Sequence, residues 1–172
     1  MNDAGVEALY NVTGTKILME DGKAVGIEAE GEAGNSITVN AKAVILASGG
    51  FGANFDKIAQ VRPDLVDYCT TNADGAQGQG LDMATAEDVG AQTVDLDEIQ
   101  IHPTVHLDEG GNAHLITEGL RGDGAILVNQ NGERFYDEVS TRDKVSAAEI
   151  AEQSETGADH VWLIMDQAMA DA

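Results

Sequence analysis

The sequence predicts an α+β fold, sheet-like in its first part and mixed in its second. Short runs of strand character are joined by Asp21-Gly22 and Asn131-Gly132, turn dipeptides in which Gly accepts positive φ at no steric cost. A continuously apolar run at 43–47 ends on bare glycines, and residues near 54–60, 81–89 and 141–153 carry helical spacing or helix-end signals.

Residues 11–47 read as β-structure. Residues 15–20 form a strand, Asp21-Gly22 its turn, and 24–29 the returning strand, where small or apolar positions alternate with polar ones. A turn at 31–35 leads to a third strand over 36–40. Ala43-Val44-Ile45-Leu46-Ala47 is apolar throughout, as in a strand buried on both faces, and it runs into Ser48-Gly49-Gly50-Phe51-Gly52. A helix is expected near 54–60, closed by Pro63, then a loop over 70–80. Leu81, Ala84, Thr85, Asp88 and Val89 sit at helical spacing, with Gly90 as the stop. Residues 91–101 look extended, and a hairpin is expected to join 125–128 to 133–136. A helix over 141–153 would place Val145, Ala148, Ile150 and Ala151 on one side, and a strand over 160–166 follows. No repeat or low-complexity linker is present. The change from sheet-like to mixed character puts a domain boundary near residue 97.

The chain has 172 residues, 42% of them hydrophobic, which suits a packed core rather than disorder. Its 31 acidic and 9 basic residues give a formal charge of -22. So acidic an exterior repels phosphate backbones and anionic lipid, which disfavours nucleic acid and membrane surfaces as partners. Cys69 is the single cysteine, so neither an internal disulfide nor a thiolate metal cluster is available, and it is expected as a small buried or semi-buried side chain. No apolar run approaches the ~20 residues of a membrane helix. Met1-Asn2-Asp3-Ala4 lacks the basic and apolar parts of a signal peptide. The segment is expected to be soluble; its compartment stays open, with the cytoplasm favoured.

Three groups of residues carry chemistry. Ser48-Gly49-Gly50-Phe51-Gly52 would let a ligand approach the backbone at the carboxyl end of a strand, or would simply make a tight strand-to-helix turn. It is not the G-x-G-x-x-G dinucleotide fingerprint. His102, His106 and His114 fall within 13 positions, but no Cys accompanies them and no H-E-x-x-H spacing occurs, so no metal site is expected. Pro103 restricts the backbone of His102. Thr117, Glu118 and Arg121, with Thr141-Arg142-Asp143 further on, set two arginines beside Thr- and Gly-rich turns. A guanidinium fork suits a carboxylate ligand, although ion pairs with the many acidic residues would also occupy it.

Taken in order, several segments resemble the flavoproteins that include soluble fumarate reductases of the flavocytochrome c type and the flavoprotein subunits of succinate dehydrogenase. The matching elements are residues 43–51, Ile99-Gln100-Ile101-His102-Pro103-Thr104, the stretch 115–124 around Thr117-Glu118 and Arg121-Gly122, Leu127-Val128-Asn129 with Gly132-Glu133-Arg134-Phe135, and Thr141-Arg142-Asp143 with Ser146-Ala147-Ala148. They cover roughly residues 40–150.

The resemblance implies an FAD domain interrupted by a mobile capping domain, with the substrate held between them. Residues 1–97 would be the middle of the FAD-binding domain, a sheet or meander with helices, and 98–172 the first part of an α+β cap. On that mapping His102 and Thr117 hold a substrate carboxylate. Arg142 polarises the substrate and delivers the proton, and Glu118 and Arg121 resupply it. Ser48, Gly49 and Gly50 line the flavin, with Thr71 and Asn72 nearby. The implied partners are a small dicarboxylate, the remainder of the same polypeptide, and an electron-donor domain or protein. The family's N-terminal fingerprint and C-terminal cap residues do not occur, so the expectation is an internal fragment that neither holds FAD tightly nor turns over alone. Reduction of another α,β-unsaturated acid, such as a urocanate- or acrylate-like one, and a non-catalytic flavoprotein-like module are the alternatives.

Overall fold

The alternation read in residues 11–40 folds as an antiparallel meander of β1 (Val12–Glu20), β2 (Lys23–Gly31) and β3 (Ser36–Asn40), in the order β1-β2-β3. The computed structural model describes residues 5–170; the tetrapeptide considered above as a signal-peptide start lies outside them. Asp21 and Gly22 both take positive φ, 47° and 73°, which turns β1 tightly into β2. Ile17 pairs with Ile27, and Ile27 with Val39. At Gly26 a Cβ would stand 2.3 Å from the Val39 carbonyl oxygen, so glycine is required by the close approach of β3.

The chain divides into two compact units. One holds everything up to Val66 together with Asn72–Leu96; the other holds Asp67–Thr71 and the chain from Asp97 onward. In the first, α1 (Phe55–Val61) is capped by Asn54, whose side chain accepts from the Lys57 amide at 3.0 Å. A 3₁₀ turn, Pro63–Leu65, follows. Ile17, Ala29, Ile58 and Leu65 are its buried apolar residues.

Two expectations in this unit are corrected. Residues 43–47 form no strand: a strand buried on both faces needs neighbours on both edges, and no described strand bonds to this run. Ile45 is 89% exposed. The helix expected through Val89 is α2 (Gln79–Thr85). The Thr85 hydroxyl bonds back to the Leu81 carbonyl at 2.9 Å, and Ala86 turns extended (ψ 146°), which breaks the helical ladder.

In the second unit, β4 (Val105–Leu107) and β5 (Ala113–Leu115) form a hairpin that the sequence did not announce. Its loop is organised by Asp108, which accepts from the amides of Gly110 at 2.9 Å and Asn112 at 2.8 Å. A short helix, α3 (Glu118–Gly122), follows with Thr117 as its cap. β6 (Ile126–Val128) pairs with β7 (Trp162–Ile164), not with 133–136. The expected hairpin is reduced to one bridge, Val128 to Arg134, because Asn129 closes the turn itself, accepting from the amides of Asn131 and Glu133 at 3.0 Å each. β7 is also shorter than the 160–166 anticipated.

The long helix α4 (Arg142–Thr156) starts at Thr141 and ends at Gly157, whose φ of 69° is the left-handed stop. Its buried face is Val145, Ser146 and Glu149, rather than Val145 with Ala148, Ile150 and Ala151. Polar partners decide this: the Ser146 hydroxyl reaches the Ile101 carbonyl at 3.4 Å, while Ile150 is left 37% exposed. α5 (Gln167–Ala170) closes the described chain. Cys69 is exposed in the irregular segment after the 3₁₀ turn, not buried as anticipated. Among the described residues no helix is long and apolar enough to cross a membrane.

Candidate active site

Arg142, Glu118 and His102 come together although Glu118 lies 16 positions from His102 and 24 from Arg142. Arg142 opens α4, so its side chain projects from the first turn. One terminal nitrogen donates to Glu118 Oε1, and the other to Gln100 Oε1 at 2.7 Å. Glu118 opens α3, placed by the Thr117 cap, whose hydroxyl accepts from the Gly119 amide at 3.3 Å. The second Glu118 oxygen lies 3.4 Å from His102 Nε2. His102 Nδ1 lies 3.0 Å from the Thr104 carbonyl oxygen, to which it donates when it carries the proton, and 3.3 Å from the Thr104 amide, from which it accepts when it does not. Nε2 is the ring nitrogen turned to Glu118. His102 is fixed from below: the Thr104 hydroxyl donates to the Ile116 carbonyl at 2.8 Å, and the Ile116 amide returns a bond to the Thr104 carbonyl at 3.0 Å.

The Glu118 carboxyl is drawn down to about 2, first by the Arg142 hydrogen bond, then by backbone amide and His102 bonds. It therefore stands as a carboxylate between two cationic or proton-bearing groups.

Arg121 lines the same cleft, of about 280 Å³, as Glu118, Thr141 and Arg142. It is 3% exposed, and its Nη1 donates to the Glu138 carbonyl at 2.7 Å. That bond is to the Glu138 backbone. The Glu138 carboxylate is clasped by Arg134, with Nε 3.0 Å from Oε2. Thr117 uses its hydroxyl as the α3 cap and is exposed. His106 and His114 face each other across the β4–β5 hairpin, ring centroids 6.5 Å apart, and His114 bonds to Asp108 at 3.1 Å. Among the described residues no group of three or more His, Cys, Asp or Glu is arranged to hold a metal.

Ser48, Gly49 and Gly50 lie in the first unit and are exposed. Glycines nearby are demanded by the chain's own packing: a Cβ at Gly80 would come within 2.0 Å of Ser48 Oγ, and one at Gly78 within 2.9 Å of Phe51 Cβ. Gly49 and Gly50 differ, because a Cβ there would meet nothing within 4 Å. Their backbone is open on that side. The Asn72 side chain lies against Gly52 in the same unit, whereas Thr71 falls in the other.

Sequence reasoning assigned no role to Gln100, Glu138 or Glu149. Gln100 stood inside a quoted motif. The buried acids left one signal, Glu149 at i+7 from Arg142 on one helix face.

The family model described as an FAD binding domain matches residues 1–172. Among curated proteins, an NADH:fumarate oxidoreductase of Klebsiella pneumoniae is 46% identical over 86% of this chain and 15% of its own length. A fumarate reductase (cytochrome) of Shewanella frigidimarina is 39% identical over 95% of the chain and 27% of its own length. The open conformation of a flavocytochrome c3 fumarate reductase superposes with a TM-score of 0.71 at 34% identity, covering 99% of this chain and 29% of that one. The chain thus spans about a quarter or less of the curated relatives just described.

Proposed function

The chain belongs to the FAD binding domain family, and on that premise we propose that it carries part of the substrate site of a reductase converting fumarate to succinate. FAD, the family's cofactor, supplies the hydride to one alkene carbon when bound. Residues 1–97 are the middle of the FAD-binding domain, with Ser48, Gly49, Gly50, Thr71 and Asn72 toward the flavin; the chain from about residue 98 begins the capping domain.

The single observation that carries the reading is the bonded series Gln100–Arg142–Glu118–His102, of which Arg142 and Glu118 line the cleft. Arg142 donates the proton to the second alkene carbon. Arginine is a poor acid in water, so this needs a closed site where proton loss accompanies the developing negative charge on carbon. Glu118 then resupplies Arg142. Its low proton affinity belongs to the state in which Arg142 is charged. Once Arg142 has given up its proton, that pull ends and the carboxylate takes a proton from solvent and passes it on. Arg121 holds the same cleft positive and completes this path. His102 and Thr117 fix a substrate carboxylate, which orients the double bond and draws electrons from it.

The remainder of the polypeptide supplies the opposing half of the site and the strands that cover residues 43–47; an electron-donor domain or protein reduces the flavin. The 172-residue chain alone neither holds FAD tightly nor turns over. Mixing it with FAD is expected to give no stoichiometric yellow complex. The decisive measurement is fumarate turnover by Arg142→Lys in the full reading frame. Turnover should fall by about 10²-fold or more while FAD is retained; undiminished turnover refutes the assignment.

A further inference from the structure

Among the described residues, two buried side-chain polar atoms lack hydrogen-bond partners. Arg121 Nε has no acceptor, and Glu149 Oε1 has no donor. Both side chains are more than nine-tenths buried, at 3% and 7% exposure. Glu149 lies on the α4 face that carries Arg142, Val145 and Ser146, outside the residues that line the cleft itself. The charged groups on neighbouring elements are Arg121 on α3, Arg134 and Glu138 after β6, and Arg142 and Glu152 on α4. Arg142 is matched by Glu118 and Arg134 by Glu138, and Glu152 accepts from Asn129 at 2.9 Å. Arg121 has a carbonyl and no ionised acid bonded to it. Burial raises the Glu149 carboxyl to about 8, and the Arg121 charge offsets this only in part, which favours the protonated acid near neutral pH.

We propose that Glu149 is a positioning residue for the anion cleft: as a neutral acid beside Arg121 it leaves that guanidinium's charge free to attract a dianionic substrate, and on ionising it cancels that attraction. The consequence matters in a chain of net charge -22, where every other arginine of the cleft region is already spent on a carboxylate. The inference rests on the fumarate reading above. It adds an alkaline limit to binding that Glu118, held ionised throughout the neutral range, cannot produce.

The test is fumarate binding to the oxidised, FAD-loaded full-length protein, followed by calorimetry from pH 6.5 to 9.5, in the wild type and Glu149→Gln. A wild-type Kd that weakens about tenfold as pH passes about 8, with a flat profile in E149Q, is the expected result. Carbon-13 titration of the Glu149 carboxyl should place its midpoint on the same limb, which a merely structural role would not do. If E149Q misfolds, that titration in the wild type still decides: a midpoint near 4.5 overturns the proposal. The same alkaline limb in E149Q, or none in the wild type, overturns it while leaving the fumarate reading intact. Absence of fumarate binding at every pH removes both.

Discussion

Arg142 and Glu118, 24 positions apart in the chain, form a hydrogen-bonded ion pair at the cleft. Each stands at the start of its own helix, α4 and α3, so backbone geometry fixes both before the side chains meet. The pair is half-exposed, and its worth lies in orientation rather than in stability.

Glu118 should remain ionised far into acid. Its carboxyl is held at about 2 against an ordinary 4.5, chiefly by Arg142. A lowered native value means the coupling is complete above about 4.5 and is lost as pH falls through about 2. Carbon-13 titration should find that midpoint in the wild type and a return toward 4.5 in Arg142→Ala. A midpoint unmoved by the substitution would show that Arg142 does not hold the carboxylate.

Gln100 orients the other Arg142 nitrogen at 2.7 Å. Gln100→Leu leaves the charge of Arg142 intact but frees its guanidinium to rotate. In the full-length enzyme kcat for fumarate should fall about tenfold or more, with KM changed much less, since placement in the reacting state is what is lost. A rise in KM at constant kcat would instead make Gln100 a simple binding residue.

The meander was legible because its signals are local: Asp21-Gly22 sets the turn, and alternation sets the register. The run 43–47 was not, because its strand character depends on hydrogen-bonding neighbours that residues 5–170 do not provide. The β4–β5 hairpin escaped notice because Asp108, rather than a two-residue turn, organises its loop. Of the site, His102, Glu118 and Arg142 could be named from motif resemblance, yet no pattern told that Glu118 would bridge the other two. Glu149 was hidden by its chemistry, since an acidic residue on a helix ordinarily reads as solvent-facing.

The two open glycines should separate folding from cofactor binding. Gly50→Ala adds a methyl group that meets nothing among the described residues, so thermal stability of the apoprotein should hold while FAD affinity drops. Gly49→Ala forces a φ of 77° on alanine and should cost about 1 kcal/mol as well. Denaturant unfolding and flavin titration on both variants of the full-length protein check this. Unchanged FAD affinity in Gly50→Ala would place the flavin elsewhere.

Glu149 should make the protein less stable as pH rises. Its native value of about 8 lies above the 4.5 of an unfolded chain, so the folded form binds the extra proton. The contribution is fully present below about 4.5 and is lost as pH climbs through about 8. The distance between those values sets a ceiling of roughly 5 kcal/mol, and relaxation around the carboxyl should leave about 2 kcal/mol measurable. Glu149→Leu keeps similar bulk without the proton, so urea unfolding should find it more stable than the wild type at pH 8, with the difference shrinking toward pH 5. A difference independent of pH would mean that packing rather than ionisation governs the site.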